Sequence, residues 1–107
     1  MILVTGGRAA GKKEFAGRQF PGRQIVDAYQ DRIRAALAAG EDPFAHASAL
    51  AENENAVILL DEVGCGIVPM EKSEREYRES VGRVGCFLAA RAEEVWRVVL
   101  GIGTRIK

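Results

Sequence analysis

The chain has 107 residues, 48% of them hydrophobic and 28% charged, which excludes a disordered or low-complexity protein and leaves room for one domain with a modest core. Fifteen basic residues balance fifteen acidic ones, so no overall field draws the chain to nucleic acid or to an anionic membrane. Two cysteines outside any zinc spacing fit a reducing compartment, and no apolar run reaches signal-peptide or membrane-spanning length, so a soluble cytoplasmic protein is expected.

Residues 2–5, ILVT, read as a short buried strand ended by Gly6 and Gly7. A helix follows from Gly11 through KKEFAGRQF, with Phe15 and Gln19 on one face and Pro21-Gly22 closing it. QIVDA, residues 24–28, is a second strand. AYQDRIRAALAAG then repeats Ala28, Ile33, Ala36 and Leu37 at helical spacing and stops at Gly40. Asp42-Pro43 opens a third helix, running to about Ala51, as an N-cap followed by proline at the first helical position.

AVILLDE, residues 56–62, is the strongest strand signal, and its five apolar residues imply burial on both faces, as in a parallel sheet. GCGIVP reads as a loop. The segment from about Glu71 to Ala92 is a long helix with Tyr77, Val81, Val84 and Leu88 on one face. EVWRVVL is a further strand, and GIGTRIK returns beside it as a short last one. The alternation β-α-β-α-α-β-α-β-β predicts one three-layer α/β domain over residues 1–107, P-loop-like, with a mostly parallel sheet.

GGRAAGKK, residues 6–13, makes most of a phosphate-binding loop between the first strand and the first helix. Such a loop aims backbone N–H groups and a helix N-terminus at a phosphate, and glycines allow the close approach. Gly6, Gly7, Arg8, Ala9, Ala10, Gly11, Lys12 and Lys13 are therefore candidate nucleotide contacts, with Lys12 reaching the β- and γ-phosphates. Lys13 stands where these loops carry Ser or Thr to hold Mg²⁺, and an ammonium cannot ligate a metal. Asp61 and Glu62 end a buried strand, the place of a carboxylate that holds Mg²⁺ directly or through water. The plain alternatives are a glycine-rich turn with solvated lysines, and a carboxylate that merely closes a strand.

The stretch DEVGCGIVP, followed by Arg75, Arg78 and the Gly82-Arg83-Val84 triplet and then AEEVWRVVLGIGTRIK, carries a resemblance. It resembles the bifunctional adenosylcobinamide kinase/adenosylcobinamide-phosphate guanylyltransferase family, whose ILVTGG strand and phosphate loop are also matched. The resemblance covers roughly residues 1–20 and 56–107. It implies a P-loop fold, ATP or GTP with Mg²⁺, phosphorylation of a cobinamide hydroxyl, GMP transfer through a histidine, and homo-oligomers that are typically trimers. It puts Gly6, Gly7, Gly11 and Lys12 on the nucleotide loop, Glu62 on the acid of the EVG element, and Arg75, Arg78 and Arg83 on a basic helix, with Arg83 a candidate phosphate or interface contact.

The departures concern the middle of the chain, which is shorter than in the family. Asp31-Arg32-Ile33-Arg34-Ala35-Ala36 is the local match to the stretch that carries the nucleophilic histidine, and it places Ala35 and Ala36 at those positions. The Arg-Pro-x-x-Trp-x-Thr signature is absent, and Gly85 replaces an Asn. His46, the only histidine, reads as a structural or surface residue without a carboxylate to orient it, Trp96 as sheet packing, and Cys65 as a spectator thiol. The expected function is phosphorylation of a cobinamide hydroxyl, with Lys12, Asp61 and Glu62 in catalytic roles and Asp61 on the metal. The alternatives are a non-catalytic nucleotide-binding or regulatory subunit and a kinase or hydrolase acting on another small substrate.

Overall fold

The computed structural model describes residues 1–63 and 70–107. Five strands, β1 (Ile2–Gly6), β2 (Gln24–Val26), β3 (Ala56–Asp61), β4 (Glu94–Val99) and β5 (Ile102–Arg105), form one sheet in the order β2-β3-β1-β4-β5. Strands β2, β3, β1 and β4 are mutually parallel, and β5 returns antiparallel to β4. The helices among the described residues are α1 (Lys12–Gln19), α2 (Tyr29–Ala38), α3 (Pro43–Ala51) and α4 (Lys72–Arg91).

The central strands are apolar on both faces because both faces are covered. Ile2, Val4, Val57 and Leu59 pack under α1 with Phe15, Ala16 and Phe20. Leu3, Ile58 and Leu60 alternate to the opposite face, where Ile33 of α2, Ala47 of α3 and Val81, Val84 and Leu88 of α4 cover them. The result is the expected three layers, with one helix on one side and three on the other.

Local signals act where the sequence predicted them. Asp42 accepts a hydrogen bond from the Phe44 N–H at 2.9 Å, and Pro43 occupies the first turn of α3. Trp96 packs with Phe15 and Phe20 at ring-centroid distances of 5.5 and 6.1 Å, which is the sheet packing anticipated for it. The β4–β5 connection is two residues long, and Leu100 and Gly101 both have positive φ, 51° and 75°. That sign pattern suits the right-handed twist of the two strands.

The second strand is shorter than the sequence suggests. It ends at Val26, because the Asp27 carboxylate accepts the Ala28 N–H at 2.8 Å and Ala28 takes a left-handed φ of 49°. Ala28 is thus a turn residue and belongs to neither strand nor helix. Glu62 lies just past β3 and donates its N–H to the Gly6 carbonyl at 2.8 Å. The expected loop GCGIVP, with Cys65, lies at residues 64–69, outside the described residues.

Candidate functional site

The parallel pairing of β1 with β3 puts Gly6 opposite Asp61, so the glycine loop and the strand-end carboxylate meet at the carboxyl edge of the sheet. Gly6 must lack a side chain, since a Cβ would stand 2.6 Å from the Val98 carbonyl oxygen. The loop folds on itself through the Ala10 N–H, which donates to the Gly7 carbonyl at 3.2 Å. Gly11, at φ 88°, then turns the chain into α1.

Lys12 is the focus of this edge. Its side chain is only 8% exposed, and its ammonium lies 2.7 Å from Asp61 Oδ1, 2.8 Å from the Gly7 carbonyl and 3.4 Å from the Gly6 carbonyl. Three acceptors satisfy three donors, which is what a buried ammonium requires. Asp61 is held in turn by Gln30 of α2, whose Oε1 accepts the Asp61 N–H at 3.1 Å. Lys12 and Asp61, separate candidates in the sequence, are thus brought together by the pairing of β1 with β3.

Two clefts share Asp61 and Gln30 as a common wall. One, about 250 Å³, is lined by the loop from Ala9 to Lys12 together with Lys13 and Asp27. The other, about 490 Å³, is lined by Arg8, Glu62, Glu74, Tyr77 and Arg78 among others. The smaller cleft presents loop backbone, Lys12 and Lys13 on one side and the Asp27 and Asp61 carboxylates on the other. Among the described residues no group of three or more His, Cys, Asp or Glu could hold a metal alone, so any cation there would share its shell with phosphate oxygens and water.

The remaining candidates fall in different places. Lys13 is exposed, its ammonium 4.0 Å from Asp27. Glu62 forms a two-pronged pair with Arg97 of β4, at 2.8 and 3.2 Å, and so is braced against the sheet. Arg8 lines the larger cleft and Ala9 and Ala10 the smaller. Arg83 lies on the exposed face of α4, ion-paired with Glu79 at 2.5 Å, and lines neither cleft.

Sequence reasoning passed over Asp27, Gln30, Arg34 and Arg97. Asp27 was open to discovery, because QIVD repeats the apolar-run-then-acid pattern of VILLD. Arg97, a charged residue inside an apolar strand, was a weaker sign. Gln30 and Arg34 matter only through helix placement. Arg34 grips Glu74 through two hydrogen bonds, 3.0 and 3.1 Å, and its guanidinium lies 3.7 Å from the Tyr77 ring centre. The hydrogen bond from Arg34 holds the Glu74 carboxyl below its ordinary value of 4.5, and burial pushes the Tyr77 phenol above its ordinary 10.0.

A third, more apolar groove of about 750 Å³ lies between α2 and α3 and is lined by Ala35, Ala36 and His46 among others. His46 does have a carboxylate partner, which the sequence reading denied it: its Nε2 is 2.6 Å from Glu41 Oε2. The helix turn at Gly40 brings these two together. Both side chains are exposed, as the surface reading of His46 expects.

A parallel sheet whose central strand runs through a glycine loop into a helix, beside a strand ending in Asp, defines a P-loop-type α/β protein. The family model for cobinamide kinase / cobinamide phosphate guanyltransferase matches residues 24–106, and the chain belongs to that family. The match runs through the middle segment that the sequence resemblance had left out, and it contains Asp61, Glu62 and Arg83. The chain is also 53% identical over 51 residues to the bifunctional adenosylcobalamin biosynthesis protein CobU of Salmonella typhimurium strain LT2 and equally to that of Escherichia coli strain K12. Those alignments take in 48% of this chain and 28% of each relative's length.

The Arg34–Glu74 pair makes a prediction about pH. A carboxyl whose value is lowered on folding adds stability above its unfolded value and loses it as pH falls through the folded one. Urea midpoints of the wild type should therefore decline more steeply than those of Glu74→Gln between about pH 5 and about pH 3. Parallel curves would show that the pair adds no stability.

Proposed function

We propose that the chain binds ATP or GTP at residues 6–13 and transfers the terminal phosphoryl group to a cobinamide hydroxyl. The observation that carries this reading is the buried Lys12–Asp61 contact of 2.7 Å at the boundary of the two clefts. It puts a phosphate-neutralising cation and a carboxylate between a space suited to a triphosphate and a larger polar space suited to an acceptor. Membership of the family supports the choice of acceptor.

In this reading the triphosphate draws the Lys12 ammonium away from Asp61 and onto its β- and γ-oxygens. Asp61 is then released to hold Mg²⁺ or to take the acceptor's proton. The hydroxyl oxygen bonds to the γ-phosphorus, the bond to the β–γ bridging oxygen breaks, and the nucleoside diphosphate leaves. Mg²⁺ would neutralise charge on the phosphates. Glu62, braced by Arg97, keeps the strand end in place. Arg83, ion-paired on the exposed face of α4, fits an interface of the proposed homo-oligomer, a trimer by the family resemblance, better than a phosphate contact.

A second reading, a nucleotide-binding or regulatory subunit that transfers nothing, is favoured by Lys13. It stands at the hydroxyl ligand's position and is exposed beside Asp27. Guanylyl transfer through a histidine has no nucleophile at Ala35 or Ala36.

Three outcomes test these statements. Calorimetric titration with ATP and GTP should find Lys12→Ala weaker than wild type by roughly ten- to a hundredfold, as loss of a charge-assisted contact implies, and Lys13→Ala nearly unchanged. Equal affinities for wild type and Lys12→Ala would remove the loop as the site. Wild type should phosphorylate cobinamide, and Asp61→Asn should abolish transfer while its circular dichroism stays native; a wild type that binds nucleotide and transfers nothing makes the binding-subunit reading correct. Incubation with α-labelled GTP should leave no acid-labile covalent label, and a stoichiometric label lost in His46→Ala would overturn the expectation.

A further inference from the structure

The loop from Gly6 to Lys12 is gripped from outside its cavity by the β4–β5 hairpin. The Gly101 N–H donates to the Ala10 carbonyl at 2.8 Å. The two backbones are in contact at the next residue, for a Cβ on Gly11 would lie 3.1 Å from the Gly101 Cα. Arg18 of α1 reaches the Gly101 carbonyl at 3.4 Å, and the Phe15 ring covers Gly103 so closely that a Cβ there would fall 2.2 Å from it. None of the hairpin residues lines the smaller cleft, whereas Ala10 and Gly11 both do.

One hydrogen bond decides the orientation of a whole peptide group. In a trans peptide the C=O and the following N–H point in opposite directions, and no cis peptide occurs among the described residues. Holding the Ala10 carbonyl outward on Gly101 therefore turns the Gly11 N–H the other way. This peptide needs such an anchor, since it leads into Gly11 at φ 88°, glycine accepts either hand of the backbone, and Ala9 at φ 58° has already turned the chain one residue before it. A loop that recognises an anion through N–H groups works only if those groups stay aimed at it.

The geometry points to Gly101 as a positioning residue for triphosphate binding: its N–H holds the Ala10–Gly11 peptide in the orientation that presents the Gly11 N–H to the phosphates. Gly101 acts through the loop and touches no phosphate itself. This rests on the proposed nucleotide site. It assigns to the hairpin apex a part in affinity that its distance along the chain hides.

The test measures binding of inorganic tripolyphosphate, ATP and GTP by calorimetry, at a temperature where every variant is folded. Gly101→Val, which cannot hold a left-handed φ without strain, should weaken all three by the same factor, roughly three- to tenfold, the worth of one net hydrogen bond. Gly101→Ala, whose Cβ meets nothing within 4 Å, should fall between it and wild type, and decides the matter if the valine variant does not fold. Leu100→Asn relieves a left-handed leucine without touching the bond and should bind at least as tightly as wild type. Leu88→Ala, in the buried core near the carboxyl end of α4, lowers stability without reaching the loop and should keep wild-type affinity. Wild-type affinity in both Gly101 variants, or an equal loss in Leu88→Ala, would overturn this inference alone. A wild type that binds none of the three anions would overturn the nucleotide site and this inference together.

Discussion

An ammonium group buried at 8% exposure has to be paired, and the pairing of Lys12 organises the edge of the sheet on which everything else depends. Its three oxygen partners come from two strand ends, the carbonyls of Gly6, which ends β1, and of Gly7, which follows it, and the Asp61 carboxylate ending β3. Without β1 beside β3 in parallel register, Gly6 against Asp61, the lysine would have no acid to meet. The same contact ties the end of β3 to the start of α1.

The two faces of the sheet divide the labour. On one face α1 packs over Ile2, Val4, Val57 and Leu59, and it starts where the loop ends, so loop and core are tied within a single helix. On the other face α2 and α4 deliver Gln30, Arg34, Tyr77 and Arg78 to the larger cleft. The hairpin β4–β5 closes the far side of the loop through Gly101, and the aromatic group Phe15, Phe20 and Trp96 keeps the hairpin and α1 together. The loop is therefore held between α1 and the hairpin, while α2 and α4 line the larger cleft.

The departures from the family pattern gather away from this edge or at its rim. Lys13 is turned outward to Asp27, and Ala35 and Ala36 line an apolar groove beside His46 and Glu41. The chain belongs to the cobinamide kinase / cobinamide phosphate guanyltransferase family, while its alignments with the two CobU proteins span 28% of their length. At the carboxyl edge of the sheet the glycine loop, Lys12 and the strand-end Asp61 lie together, while Ala35 and Ala36 lie in the groove between α2 and α3.

Element types, their order and the parallel class of the sheet were all determined by the sequence, because each rests on a local signal. Five apolar residues in a row demand two covered faces, Asp42-Pro43 starts a helix whatever surrounds it, and glycines between an apolar run and a helical pattern mark the turn from strand to helix. The places of Lys12 at the start of α1 and of Asp61 and Glu62 at the end of β3 follow in the same way, each at a fixed offset from such a signal. The partners of these residues were decided by tertiary structure. That β1 lies between β3 and β4, that Glu62 is braced by Arg97, that Gln30 holds Asp61, that Glu41 meets His46 and that Gly101 grips Ala10 are facts of strand order and helix placement. No local pattern encodes them, because each joins groups whose approach depends on how the whole core packs and not on the conformation of either segment alone.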